Sequence, residues 1–101
     1  MSSFSYNKVK AKEAAGLLKI LSSGPRLQII GLLLERKKGL CVNEIAEVVG
    51  HSQSATSHQL AKLADKGVIQ CARDGKNMCY QICQCDKARS LAWVLRVLGR
   101  N

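Results

Sequence analysis

Aromatic side chains are scarce in this chain of 101 residues: one Trp, two Tyr and one Phe make up 4% of it. A core built almost without rings must be aliphatic, and 47% hydrophobic residues are enough to build one, which argues against a disordered chain. Acid is short as well. Seven Asp and Glu face sixteen Lys and Arg, a formal charge of +9. That imbalance points to a polyanionic partner, nucleic acid ahead of membrane. Long apolar runs are missing: the longest, Ile29 to Leu34, contains Gly31 and is far too short to span a bilayer. The opening stretch MSSFSYNKVKAKEAAG has no apolar segment of the kind that directs secretion, so the expected location is cytoplasmic, with no membrane partner. No Ser-His-Asp or Cys-His spacing and no glycine-rich phosphate loop stand out, so neither an enzyme nor a small organic substrate is expected. C-x-x-C pairs are absent too, which leaves a zinc-stabilised interaction module poorly supported.

What is present fits a single domain, residues 1–101, with one modest core. Residues 1–8 read as a flexible arm. A helix over about Val9 to Leu21 carries a stripe of Ala11, Ala14, Ala15, Leu18 and Leu21, small enough for another helix to approach. Ser23 and Pro25 suit the first turn of a second helix, which runs to Glu35. Its Leu27, Ile29, Ile30, Leu32, Leu33 and Leu34 lie nearly all round it, the pattern of a helix buried on several sides. The charged loop ERKKG follows.

Residues 41–66 read as two short helices around a tight turn. Val42, Ile45, Ala46 and Val49 give the first one apolar face, and Gly50 stops it. Cys41-Val42-Asn43-Glu44 imitates a capping box with a thiol where a hydroxyl belongs. Ser52 is a good N-cap for the next helix, and Gly67 ends it. Ala55, Leu60, Leu63 and Ala64 are expected to face the core. Gln53, Ser54, Thr56, Ser57, His58, Gln59 and Lys62 form a polar, nearly acid-free face suited to base edges and phosphates. This is the helix-turn-helix pattern.

Residues 68–83 then read as a hairpin, with strands Val68 to Arg73 and Asn77 to Cys83 and a turn signal at Asp74-Gly75. Met78, Tyr80 and Ile82 alternate with Cys79, Gln81 and Cys83, so one set faces the core. Arg73, Lys76 and Asn77 cluster at the tip. A basic-tipped hairpin after such a helix is a wing that reaches the phosphates or the minor groove beside the helix. A last helix, residues 87–100, puts Ala88, Leu91, Ala92, Leu95 and Leu98 on one face, widened by Trp93, Val94 and Val97. Leu18, Leu21, Leu91, Leu95 and Leu98 are the expected dimer interface, since such a module normally reads two half-sites. The fold class expected is therefore mainly α with a small β-hairpin: a homodimeric winged helix-turn-helix of four helices, two strands and a final helix.

That order resembles the ArsR/SmtB family of winged-helix repressors over about Leu17 to Leu98. The residues that carry the resemblance are Pro25-Arg26-Leu27, the Cys41 to Ala46 run, the Ser52 to Leu60 run, Gly67-Val68-Ile69, and Arg73 to Lys76 with Tyr80 and Ile82. The resemblance implies a cytoplasmic homodimer that represses a nearby operon and leaves its double-stranded DNA operator when a thiol-reactive effector acts. It places Gln53, Ser54, Thr56, Ser57 and His58 in the major groove, and Arg73 and Lys76 on the backbone. The family's sensors do not carry over. Its thiolate site resembles an L-C-V-C run, and this chain has Leu40-Cys41-Val42-Asn43. The last helix, residues 87–100, has no His and no acid, so that family zinc site is not expected. The pattern is most similar to the sulfur- and redox-responsive branch, yet the branch's helix 2 cysteine falls at Gly31 and no cysteine follows Cys85.

Five cysteines remain, Cys41, Cys71, Cys79, Cys83 and Cys85, an odd number that fits thiols better than a closed disulfide framework. A three-residue hairpin loop would set Cys71 directly opposite Cys79; a two-residue loop would make them diagonal neighbours. Cys83-Gln84-Cys85 is a pair able to chelate a soft ion. No cofactor is certain, but three or four thiols at the wing base could bind As(III), Cd(II) or Zn(II), or form a disulfide or polysulfide bridge. Cysteine is also a small core hydrophobe, so the competing expectation is a constitutive DNA-binding regulator with inert thiols.

Overall fold

A computed structural model describes residues 7–99 of the chain. Residues 1–6 of the expected arm, and Arg100 at the expected end of the last helix, lie outside the described residues. Five helices and a small antiparallel sheet follow in the order α1 (Lys8–Leu21), α2 (Gly24–Glu35), β1 (Leu40–Cys41), α3 (Val42–Val49), α4 (Gln53–Asp65), β2 (Ile69–Asp74), β3 (Asn77–Ile82) and α5 (Asp86–Leu98). The expected fold class is present, with one strand more than the sequence suggested.

α2 is the centre. Ile29, Ile30, Leu32 and Leu33 are buried on it, and it packs against α1, α3, α4, α5 and β3. Ile45, Leu60, Leu63, Val68, Ile69, Tyr80 and Leu91 complete the core from the surrounding elements. The caps that frame the two helices after β1 form as their sequences dictate. Gly50 closes α3 at φ 74°, a left-handed conformation that a side chain would resist. Ser52 caps α4, its Oγ accepting a hydrogen bond from the Ala55 N–H at 3.0 Å.

The sheet order is β1-β3-β2, so β3 is the middle strand. β2 and β3 form the hairpin, with Asp74 paired to Asn77 and Gly75-Lys76 as the turn. The turn therefore lies one residue later than Asp74-Gly75. Tyr80 faces Cys71, and Cys79 faces Ala72. Adjacent positions on a strand point to opposite faces, so Cys71 and Cys79 are separated by the sheet itself and do not meet. The extra strand, β1, pairs Leu40 with Tyr80 and Cys41 with Cys79. Gly39 precedes it at φ 88°, and a Cβ there would lie 2.9 Å from Tyr80 O, too close for any other residue.

Three further expectations are corrected by burial. α4 turns Thr56, Leu60 and Leu63 inward, at i, i+4 and i+7, and leaves Ala55 exposed. Thr56 is 1% exposed and cannot reach DNA; its methyl group serves the core where alanine was expected to. Leu21 and Leu91 face this chain's own core rather than a partner, because the end of α1 and the inner side of α5 close over α2. Leu18 remains exposed at 58% and Leu98 at 73%, while Leu95 is half-buried against the core.

Among the described residues, Thr56 Oγ1 is buried without a hydrogen-bond partner. Removing an unpaired buried hydroxyl while keeping its shape is neutral to favourable. Thr56→Val is therefore expected to raise stability by about 1 kcal/mol, seen as a rise of roughly 4–8 °C in the thermal midpoint. A fall of that size would mean the hydroxyl has a partner in solution.

Candidate nucleic-acid interface

The outer face of α4 presents Gln53, Ser54, Ser57, His58 and Lys62, all exposed. No acid lies in its first turn, and the free N–H groups there add partial positive charge. Lys76 at the turn and Arg73 on β2 are exposed on the wing. Between α4 and the wing lies a groove of about 540 Å³. Its walls include Gln53, Ser54 and Ser57 from α4, Lys76, Asn77 and Met78 from the wing, and Cys41 and Asn43 from the start of α3. Short polar side chains, amides and one ammonium share the open slot with Val42, Met78 and Tyr80, and its polar groups suit a phosphate backbone entering beside α4. Asn43 was not anticipated as a lining residue. Its place follows from β1, which sets the start of α3 against the wing.

Gln59 does not belong to this face. It is half-buried, and its Oε1 accepts a hydrogen bond from Arg26 Nε at 2.7 Å. The bond joins the first turn of α2 to the middle of α4 and fixes the rotation of α4 on the core. Arg26 thereby acts as a positioning residue, although the sequence marked only its place beside Pro25.

The thiols gather in pairs. Cys41 and Cys79, opposite each other across β1 and β3, are joined by a disulfide with Cα atoms 3.9 Å apart. Cys41 also stands at the N-cap of α3, where its backbone N–H donates to Glu44 Oε1 at 2.9 Å. Cys83 follows the end of β3, its N–H bonded to Val68 O at 3.0 Å, and Cys85 is the N-cap of α5. The Cys85 thiol donates to Gly67 O at 3.7 Å, and the neighbouring Cys83 thiol, with help from the Ala88 and Lys87 N–H groups, lowers the Cys85 pKa. The Cys85 sulfur in turn raises the Cys83 pKa. Cys71 is exposed, and its sulfur lies 3.9 Å from Met78 Sδ.

The expected cluster of three or four thiols does not form. Among the described residues, no group of three or more His, Cys, Asp or Glu side chains is placed to hold a metal ion. A closed site for Zn(II) wants four such ligands, and the described residues of one copy do not assemble one. Nor, among the described residues, is any single helix long and apolar enough to cross a membrane.

Residues 23–70 match the family described as "Bacterial regulatory protein, arsR family". The HTH-type transcriptional regulator YgaV of Escherichia coli K12 is 35% identical over 82 residues, 81% of this chain and 82% of its own length. The crystal structure of the AntR antimony-specific transcriptional repressor superposes with a TM-score of 0.81 at 32% identity, over 97% of this chain and 87% of that one. The solution structure of the homodimeric winged helix-turn-helix DNA-binding domain of Mb0332 from Mycobacterium bovis gives 0.76 at 31% identity, over 97% and 90%. Fold and groove define a winged helix-turn-helix DNA-binding protein. Within that class the chain belongs to the ArsR family of bacterial transcriptional regulators, and it is not an enzyme.

The pairing of Cys83 with Cys85 has a pH signature. The thiolate is the reactive form, so a lowered pKa keeps Cys85 reactive as pH falls below the ordinary thiol range near 8.5. Alkylation of Cys85, followed by peptide mass spectrometry, is expected to show a midpoint below that range. Cys83→Ala should move the midpoint up by removing the largest cause of the shift. An unmoved midpoint would show that the helix N-terminus alone holds the charge.

Proposed function

We propose that the chain is a cytoplasmic, homodimeric repressor that grips an operator through α4 and the wing of each copy and releases it when its thiols react. The groove that joins the polar face of α4 to the basic wing carries this reading. On this reading Gln53, Ser54, Ser57 and His58 meet base edges in the DNA major groove, while Lys62, Arg73 and Lys76 meet phosphates. Residues 41–66 are the reading unit, 68–83 the wing, and the last helix, within 87–100, the dimerisation element. The effector is a reactive sulfur species or an oxidant, since four of the five cysteines, Cys41 with Cys79 and Cys83 with Cys85, come as pairs that can oxidise to disulfides, and, among the described residues, no group of three or more metal-ligating side chains is formed. The antimony named for AntR remains that protein's effector.

The dimer reading rests on apolar surface that the single chain leaves uncovered. Val9 and Leu18 on α1, and Trp93, Val97 and Leu98 on α5, are exposed by 39% to 73%. A second copy laid α1 against α5 would cover such side chains, and two copies would match two half-sites.

Two measurements test these readings. Replacing Ser57→Ala together with His58→Ala removes two contacts worth roughly 1–3 kcal/mol each. Fluorescence anisotropy on duplex DNA from upstream of the chain's own gene should show affinity reduced by about tenfold or more, with the thermal midpoint unaltered. Equal affinity would remove α4 as the reading helix. For the dimer, Trp93→Glu should halve the sedimenting mass. An unchanged dimer mass would place the interface elsewhere.

A further inference from the structure

The Cys41–Cys79 bond lies at a junction that neither cysteine reveals alone. Cys41 caps α3, the first helix of the reading unit, and lines the groove. Cys79 sits on β3, three residues beyond Lys76 at the turn. The bond spans a sequence separation of 38 and crosses from the start of α3, the helix that precedes α4, to the wing. Without it, the strand that joins them is two residues long and makes two register pairs. Both cysteines are half-buried rather than sealed in the core, and Cys41 opens onto the groove, so small solutes reach the pair. In a reducing compartment, a disulfide this accessible is transient rather than structural.

We propose that Cys41 and Cys79 are the redox-reactive site of this regulator: a hydroperoxide joins them, and the joined form holds DNA more weakly than the dithiol. This deepens the repressor reading above and rests on it. The Cys41 thiolate attacks the outer oxygen of the peroxide, breaking the O–O bond and giving a sulfenic acid, with water or an alcohol leaving. The Cys79 thiolate then attacks the sulfenic sulfur; the S–S bond forms, and the hydroxyl leaves as water after protonation. Two electrons pass from the two thiols to the peroxide. A dithiol reductant returns them by exchange.

The effect on DNA follows from where the tie falls. α4 in the major groove and the wing on the backbone must engage one duplex together. With two free thiols, the short β1–β3 ladder allows the wing to adjust against the start of α3. The disulfide fuses the two and removes that adjustment. Cys71, on the opposite face of the hairpin, and Cys83 and Cys85, beyond its base, lie outside this link.

The test uses the full chain, hydrogen peroxide as oxidant and dithiothreitol as reductant, with anisotropy on the upstream duplex. The reduced protein should bind tightly. Peroxide should weaken binding by about tenfold or more, dithiothreitol should restore it, and peptide mapping of the oxidised protein should recover a Cys41–Cys79 linkage. Cys79→Ser, which lies outside the groove wall, should bind as the reduced protein does and ignore peroxide. Cys41→Ser, where a hydroxyl keeps the cap, should likewise lose the response. Cys71→Ser and Cys85→Ser should keep it. Equal or tighter binding after oxidation, a response that survives in Cys79→Ser with its fold intact by circular dichroism, or a linkage between other cysteines would each overturn the proposal. Reduced protein that binds no duplex above the salt-sensitive background would instead overturn the repressor reading, and this inference with it.

Discussion

Ile29, Ile30 and Leu33, each 1% exposed, belong to a helix with apolar side chains on almost every side. Leaving any one of them in water would cost about 1.5–3 kcal/mol, so α2 has to be wrapped. The wrapping decides the rest. α1, α3, α4, α5 and β3 each lend one face to α2 and turn the other outward. For α4 the inward share is the narrow line of Thr56, Leu60 and Leu63, which frees more than half its circumference for a polar surface. Arg26 then locks the rotation from α2 itself. The polar face of α4 is thus a remainder, left by the demands of the core.

β3 has the corresponding place in the sheet. It pairs on one side with β2 to make the wing and on the other with β1 to reach the start of α3. Tyr80 anchors it in the core, while Cys79, next in line, points to the other side and meets Cys41. Mechanical support for the wing and the chemistry of the thiol pair therefore run through a single six-residue strand. A change at one is positioned to be felt at the other.

The sequence disclosed what depends on short range. Gly50 and Ser52 are local signals, and both caps formed where the residues required. The all-round apolar pattern of α2 and the alternation of Tyr80 with Cys79 were equally legible. Features that depend on distant partners were not. β1 has two residues, too few for a period, and Leu40-Cys41 reads as the lead into a helix. Thr56 looked polar because its hydroxyl outweighs its methyl on any hydropathy ranking, yet the methyl meets the core. Gln59 met a partner 33 residues away in Arg26. Leu21 and Leu91 carried no mark telling this chain's core from a partner's surface. The meeting of Cys41 with Cys79 required β1 to be known first, so spacing favoured other pairs.

Gly39 sets the terms on which those two sulfurs meet. Its backbone passes so near Tyr80 O that no side chain fits, and it brings the loop after α2 down onto β3 in the one register that puts Cys41 across from Cys79. A side chain at 39, or a loop one residue longer or shorter, would part the sulfurs while leaving all five cysteines in the sequence. Related chains could therefore gain or lose this disulfide through loop length and one glycine, and counting cysteines in an alignment would miss the difference.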